Sequence, residues 1–212
     1  LHAIAPAIKG KSGTNIEIHD GAKLTVHRFP SGQMRKELSV RMMKPFGLKS
    51  KLGRLLDELK PDAVHIQSHL MVGRMLVGES KKRGIKTIAT NHTMPENLIR
   101  YSVRIPEFFE RPIMKFGWWD TGRVLKKMDR VTTPTRRAAD ILERESGLRD
   151  VLAISCGIDA SRFINKTPTS NAEPRVLFVG RLDYEKRLDI LIRAIHQISA
   201  EIDVNLEIVG NG

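Results

Sequence analysis

The sequence predicts an α/β protein built on mainly parallel sheets and divided into two domains. Three observations carry this. Short apolar strand-like segments alternate with helical stretches along the 212 residues, an order that calls for right-handed βαβ units. Within the last helical stretch, Leu188, Leu191, Ile192, Ile195 and Ile198 recur at helical spacing and would cover one face of a sheet. Finally, NKTPTSNAEP over residues 165–174 reads as a linker, with two prolines, two asparagines and three Ser/Thr residues.

The expected strands are His2–Pro6, Leu24–Phe29, Ala63–Ile66, Thr87–Ala89, Arg130–Thr133, Val151–Ile154, Arg175–Val179 and Asn205–Val209. The expected helices are Ser50–Leu59, Val72–Arg83, Ile113–Lys127, Thr135–Glu145 and Arg187–Ile202, with Thr135 as an N-cap in VTTPTRRAADIL. Domain one then covers residues 1–165, the linker 166–174, and the start of a second domain 175–212. The chain opens within a strand-like HAIAPA and closes on NLEIVGNG. It is therefore expected to be a fragment.

Lys and Arg total 36 against 24 acidic residues, a net charge of +12. The excess implies an anionic partner: nucleic acid, an acidic membrane surface or a phosphorylated small molecule. No RRM, KH or helix-turn-helix signature appears, so nucleic acid is not expected as a partner. The single cysteine, Cys156, excludes an internal disulfide and fits a reducing compartment. No apolar run approaches the roughly 18 residues of a membrane span.

In LFVGRLDYEKRLDIL the strand ending at Val179 runs into Gly180, and Arg181, Lys186 and Arg187 crowd the turn beyond it. Ligands of open parallel sheets bind outside the carboxyl ends of the strands. A helix starting near Glu185 or Lys186 would aim its N-terminal amides there. Arg181 offers a planar fork for phosphate oxygens and Lys186 a mobile point charge. Pairing of Arg181 with Asp183 or Glu185 on the surface is the competing explanation.

GRLDYEKRLDILIRAI, followed by NLEIVGNG, resembles the start of the nucleotide-binding domain of GT-B glycosyltransferases in the retaining, glycogen-synthase-like family 4. ISCGIDASRF is similar to the family's N-G-[IV]-D-x-x-x-F segment, with Cys156 where asparagine is usual, and PDAVHIQSH and GIKTIATNHT resemble two strand ends lining the acceptor side of its cleft.

The resemblance implies a GT-B fold of two Rossmann-like domains facing a cleft, the N-terminal one nearly complete and the C-terminal one only begun. It assigns Arg181 and Lys186 to the diphosphate of a nucleotide-sugar donor and His92 to the donor sugar. Gly180, Gly210 and Gly212 fall at turns that approach the nucleotide. His69 is open between cleft wall and core packing. GDP-mannose and UDP-glucose are both implied as donors, with no metal or other cofactor. A glycine-rich loop before Leu1 and a glutamate pair beyond Gly212 are expected to be missing.

Two stretches point to an anionic membrane surface and a lipid acceptor, as in members of the family that glycosylate diacylglycerol or phosphatidylinositol, with a soluble acceptor such as a sugar, sugar phosphate or polysaccharide as the alternative. MRKELSVRMMKPFGLKSKLGRLLDEL mixes basic and apolar residues and reads as two amphipathic helices broken at Pro45, the alternative being an apolar face packed on the sheet with its charges merely solvated. FFERPIMKFGWWDTGRVLKK sets Phe108, Phe109, Phe116, Trp118 and Trp119 among basic residues, and burial between helices is the alternative. The expected location is cytoplasmic, peripheral at the inner face of the membrane.

Overall fold

The structure is a computed structural model that describes residues 1–8, 10–35, 38–96, 106–164, 174–183 and 186–211. It forms two compact units, Leu1–Gly157 and Ile158–Gly212. Most of the expected linker, residues 166–173, lies outside the described residues.

The larger unit opens with β1 (His2–Pro6), β2 (Gly13–His19) and β3 (Ala22–Phe29), in the order β1-β3-β2. β1 runs parallel to β3, whereas β2 and β3 form an antiparallel hairpin. Its turn is Asp20-Gly21, both at positive φ, and a two-residue Asp-Gly turn has the twist that a hairpin needs. β2 is absent from the expected strands, although HDGA flanked by alternating NIEI and KLTV carries its signal.

The basic stretch also departs from expectation. β4 (Ser31–Arg35) and β5 (Leu38–Met43) pair as a second hairpin where the first amphipathic helix was expected. Only after Pro45 does α1 (Leu48–Leu59) begin. Its Leu48, Leu52 and Leu56 are buried in the core. The apolar face is thus covered by protein, and α1 is a core helix with a solvated basic face.

β6 (Ala63–Ile66), β7 (Lys86–Thr90), β8 (Arg130–Thr133) and β9 (Leu152–Ala153) form a fully parallel sheet in chain order. The connections are α2 (Met71–Lys82), α3 (Glu107–Leu125) and α4 (Arg136–Ser146). α2 packs on β6 and β7, α4 on β8 and β9, α1 on α2, and α3 on α4. Leu52, Leu56, Ile66, Val77, Ala89, Val131, Leu142 and Val151 meet in one apolar core. An apolar hollow of about 620 Å³, lined by His2, Ile4, Val64 and Ile66 among others, lies between β1 and β6. The sheet of β1, β3 and β2 shares no ladder with the sheet of β6 to β9 among the described residues.

Thr135 caps α4: its side chain accepts from the Ala138 amide at 3.1 Å. The aromatic run divides on α3. Trp118 is 4% exposed and its Nε1 donates to Glu96 at 2.8 Å, whereas Trp119 is 58% exposed. Of the five aromatics in this run, Trp118 is the one that joins the core.

In the smaller unit, a short 3-10 turn (Ala160–Phe163) precedes β10 (Arg175–Val179), α5 (Leu188–Ile198) and β11 (Asn205–Val209). β10 and β11 pair in parallel, so the three elements are one βαβ unit. α5 starts later than expected, because Arg187 sits at φ 50°, and it ends four residues short of Ile202.

Leu52→Ala, in the fully buried face of α1, should lower stability by about 2–5 kcal/mol. Thr135→Ala should cost about 1 kcal/mol through the lost cap. Urea unfolding of both variants checks the order; equal losses would contradict this placement of α1.

Candidate functional site

Parallel strands end on the same side, so the residues that follow β6, β7 and β8 gather at one sheet edge. The register pairs Ile66 with Ala89 and Thr90 with Thr132. Gln67, Ser68 and His69 therefore leave β6 beside Asn91, His92 and Thr93 leaving β7. The Asn91 amide donates to the Thr132 carbonyl at 2.8 Å, extending the ladder one step past β7.

The polar side chains at this edge are linked. His92 Nε2 lies 2.8 Å from Gln67 Oε1, and Gln67 Nε2 lies 3.3 Å from His65 Nε2. That same His65 nitrogen is 2.7 Å from Thr90 Oγ1, which is 2.8 Å from Thr132 Oγ1. His92, Gln67 and His65 are exposed and Thr132 is buried, so the chain runs from solvent into the sheet. Neither Gln67 nor the two threonines was anticipated from sequence. PDAVHIQSH held the signal for Gln67, as a polar residue directly after a strand.

His69 belongs below this edge. It is buried, with Nε2 3.3 Å from Thr121 Oγ1 of α3. Burial, with Arg74 nearby, pushes its pKa down. Core packing is therefore its place. Gly73 helps to fix the loop: a methyl there would fall on the Ser68 carbonyl oxygen, so only glycine lets α2 come this close. Arg74 forks onto Asp120 of α3 and, with Arg123, holds that carboxyl below the usual range.

In the smaller unit the segments after β10 and β11 stay zipped together: the Gly180 amide donates to Val209 and the Leu182 amide to Asn211, each at 3.0 Å. A methyl on Gly210 would land on the Gly180 carbonyl oxygen. This close approach requires glycine at 210, whereas a methyl on Gly180 would meet only the Phe178 ring, at 3.3 Å. Gly212 lies outside the described residues.

Arg181 and Lys186 are exposed just beyond Gly180. Arg181 lies 3.8 Å from Asp183, a long, solvated pair that contributes little. The Lys186 amide closes the turn onto the Asp183 carbonyl at 2.9 Å. Arg187 turns to Asp189 in the first turn of α5, which puts an acid at the helix end expected to face an anion. Among the described residues, no cluster of three or more His, Cys, Asp or Glu side chains is placed to hold a metal ion.

The chain matches two family models: Glycosyltransferase Family 4 over residues 2–162 and Glycosyl transferases group 1 over residues 159–212. It is similar to a GDP-mannose-dependent alpha-mannosyltransferase of Mycobacterium tuberculosis (strain CDC 1551 / Oshkosh), with 27% identity over 208 residues, 92% of this chain and 50% of the relative. The chain thus spans about half the length of that curated relative. Solved structures with some similarity include an S. aureus MnaA–UDP co-structure, at 14% identity and TM-score 0.41, over 88% of this chain and 54% of that one. Another is Acinetobacter baumannii MurG, at 10% identity and TM-score 0.43, over 88% and 53%.

His69 and His27 are both held below their ordinary pKa, chiefly by burial. The folded state then binds fewer protons than the unfolded state, whose histidines titrate near ~6.5. Stability is full above that pH and should fall as pH drops from about 7 toward 5. Urea unfolding across this range should show the decline, and His69→Gln should flatten it. Carboxylates such as Asp120, also held low, act in a separate window below about pH 4.

Proposed function

Because the chain belongs to glycosyltransferase family 4, we propose that the whole protein is a retaining transferase that moves mannose from GDP-mannose to a membrane-lipid acceptor. The observation that carries the donor is the similarity to a GDP-mannose-dependent relative across 92% of this chain.

Arg181 and Lys186 are assigned to the donor diphosphate. As the bond from the anomeric carbon to phosphate oxygen breaks, the departing GDP gains negative charge, and cations already in place stabilise that state more than the bound donor. On this reading they do so without a bound metal. The acceptor hydroxyl bonds to the anomeric carbon on the face the phosphate leaves. Its proton passes to the leaving oxygen, and configuration is retained. His92 is assigned to the donor sugar as a binding group rather than a nucleophile. Gly180 and Gly210 hold the turns that bring the strand ends close.

The acceptor side rests on α3. Phe108, Phe109, Phe116 and Trp119 are exposed, Arg123 stacks 5.3 Å from the Trp119 ring centre, and Arg111 and Lys115 stand on the same exposed helix. Indole and phenyl rings flanked by cations suit the headgroup level of an anionic bilayer. Each cation there adds on the order of 1 kcal/mol. No helix among the described residues is long and apolar enough to cross a membrane, so contact on this reading is peripheral, at the cytoplasmic leaflet.

Arg181→Ala in the full-length protein should cut mannose transfer from GDP-mannose about a hundredfold, the order seen when one transition-state donor is lost, with thermal unfolding unchanged. Near-normal turnover would refute the diphosphate assignment. In liposome flotation, the full-length protein should rise with anionic but not neutral vesicles, and Phe116→Ser with Trp119→Ser should abolish this. Transfer to soluble acceptors without vesicle binding would replace the lipid by a soluble acceptor.

A further inference from the structure

Gln67 has no part in the assignments above, yet it touches the residue assigned to the donor sugar. An amide oxygen only accepts, so the His92 nitrogen 2.8 Å from Gln67 Oε1 is the one that carries hydrogen. On a neutral imidazole the other nitrogen, Nδ1, is then the acceptor. The amide's NH2 group faces the His65 ring, 3.3 Å from Nε2 and 3.5 Å from Nδ1, which requires that Nε2 be unprotonated and accept from the Thr90 hydroxyl of the Thr90–Thr132 pair, 2.7 Å away. Thr132 is buried and Thr90 half-buried at the end of the β7–β8 ladder, so the exposed end of this chain is anchored in the sheet.

We propose that Gln67 is a positioning residue that holds His92 in the Nε2–H tautomer, presenting Nδ1 as a hydrogen-bond acceptor to a hydroxyl of the bound sugar. This rests on the assignment of His92 to the donor sugar. The opposite tautomer would turn an N–H toward that hydroxyl, which would have to accept rather than donate. Because Gln67 lies one residue and His92 two residues beyond the ends of neighbouring parallel strands about 4.8 Å apart, the pair is set by register and not by a flexible loop.

The test uses the full-length protein with 15N-labelled histidine, His92 being identified by its loss in His92→Gln. Ring-nitrogen shifts should show the Nε2–H form in the wild type and in Gln67→Glu, which keeps an acceptor oxygen, and a mixture in Gln67→Leu. With GDP-mannose as donor, Gln67→Leu should lower kcat about tenfold, the order expected for one lost neutral hydrogen bond, with little change in KM, and Gln67→Glu should recover most of it. An Nδ1–H form in the wild type, an unchanged tautomer in Gln67→Leu, or a shifted tautomer with unaltered kcat each overturns the proposal. A wild type that transfers no sugar while His92 keeps the Nε2–H form strikes the transferase reading and leaves the pairing standing.

Discussion

A strand can join a parallel sheet only if its connection carries the chain back to the end where the previous strand began. In the larger unit that return is made by α2, α3 and α4, and β6 to β9 all finish on one side. Everything placed there follows from this constraint. Gln67 and His92 are twenty-five residues apart in sequence, and Thr90 and Thr132 forty-two, yet register brings each pair within hydrogen-bond reach. The burial of Leu52, Leu56, Val77 and Leu142 behind the sheet keeps that register from slipping, since a one-residue shift would turn each strand's side chains over.

The smaller unit repeats the device with two strands. Here the strand ends are held by backbone contacts, and the Gly210–Gly180 approach leaves no room for a side chain between them. Gly210 is a packing requirement first. Arg181 and Lys186 gain their place from the turn that this packing creates, at the carboxyl end of β10, where an open sheet offers its ligand crevice.

Much of the architecture was legible in the sequence because it rests on local signals. The βαβ order, the Thr135 cap and the β10–α5–β11 unit all follow from apolar spacing and turn residues. The failures have physical causes. Residues 31–43 mix basic and apolar residues in a pattern that suits a helix or a hairpin, and pairing between β4 and β5 decided it. Trp118 and Trp119 are neighbours in sequence but point about 100° apart on a helix, so one is core and the other surface. The assignment of His92 rests on motif resemblance, whereas the Gln67–His65–Thr90–Thr132 chain depends on cross-strand register, which no single segment encodes.

The proposed activity of the full-length protein is a retaining transfer from a nucleotide sugar. The most direct measurement is proton NMR of the product formed by the full-length protein from GDP-mannose, whose mannose is α-linked to phosphate. Retention gives a new α-mannoside, with the anomeric configuration of the donor preserved. A β-linked product, or intact GDP-mannose after prolonged incubation with lipid and soluble acceptors alike, would contradict it.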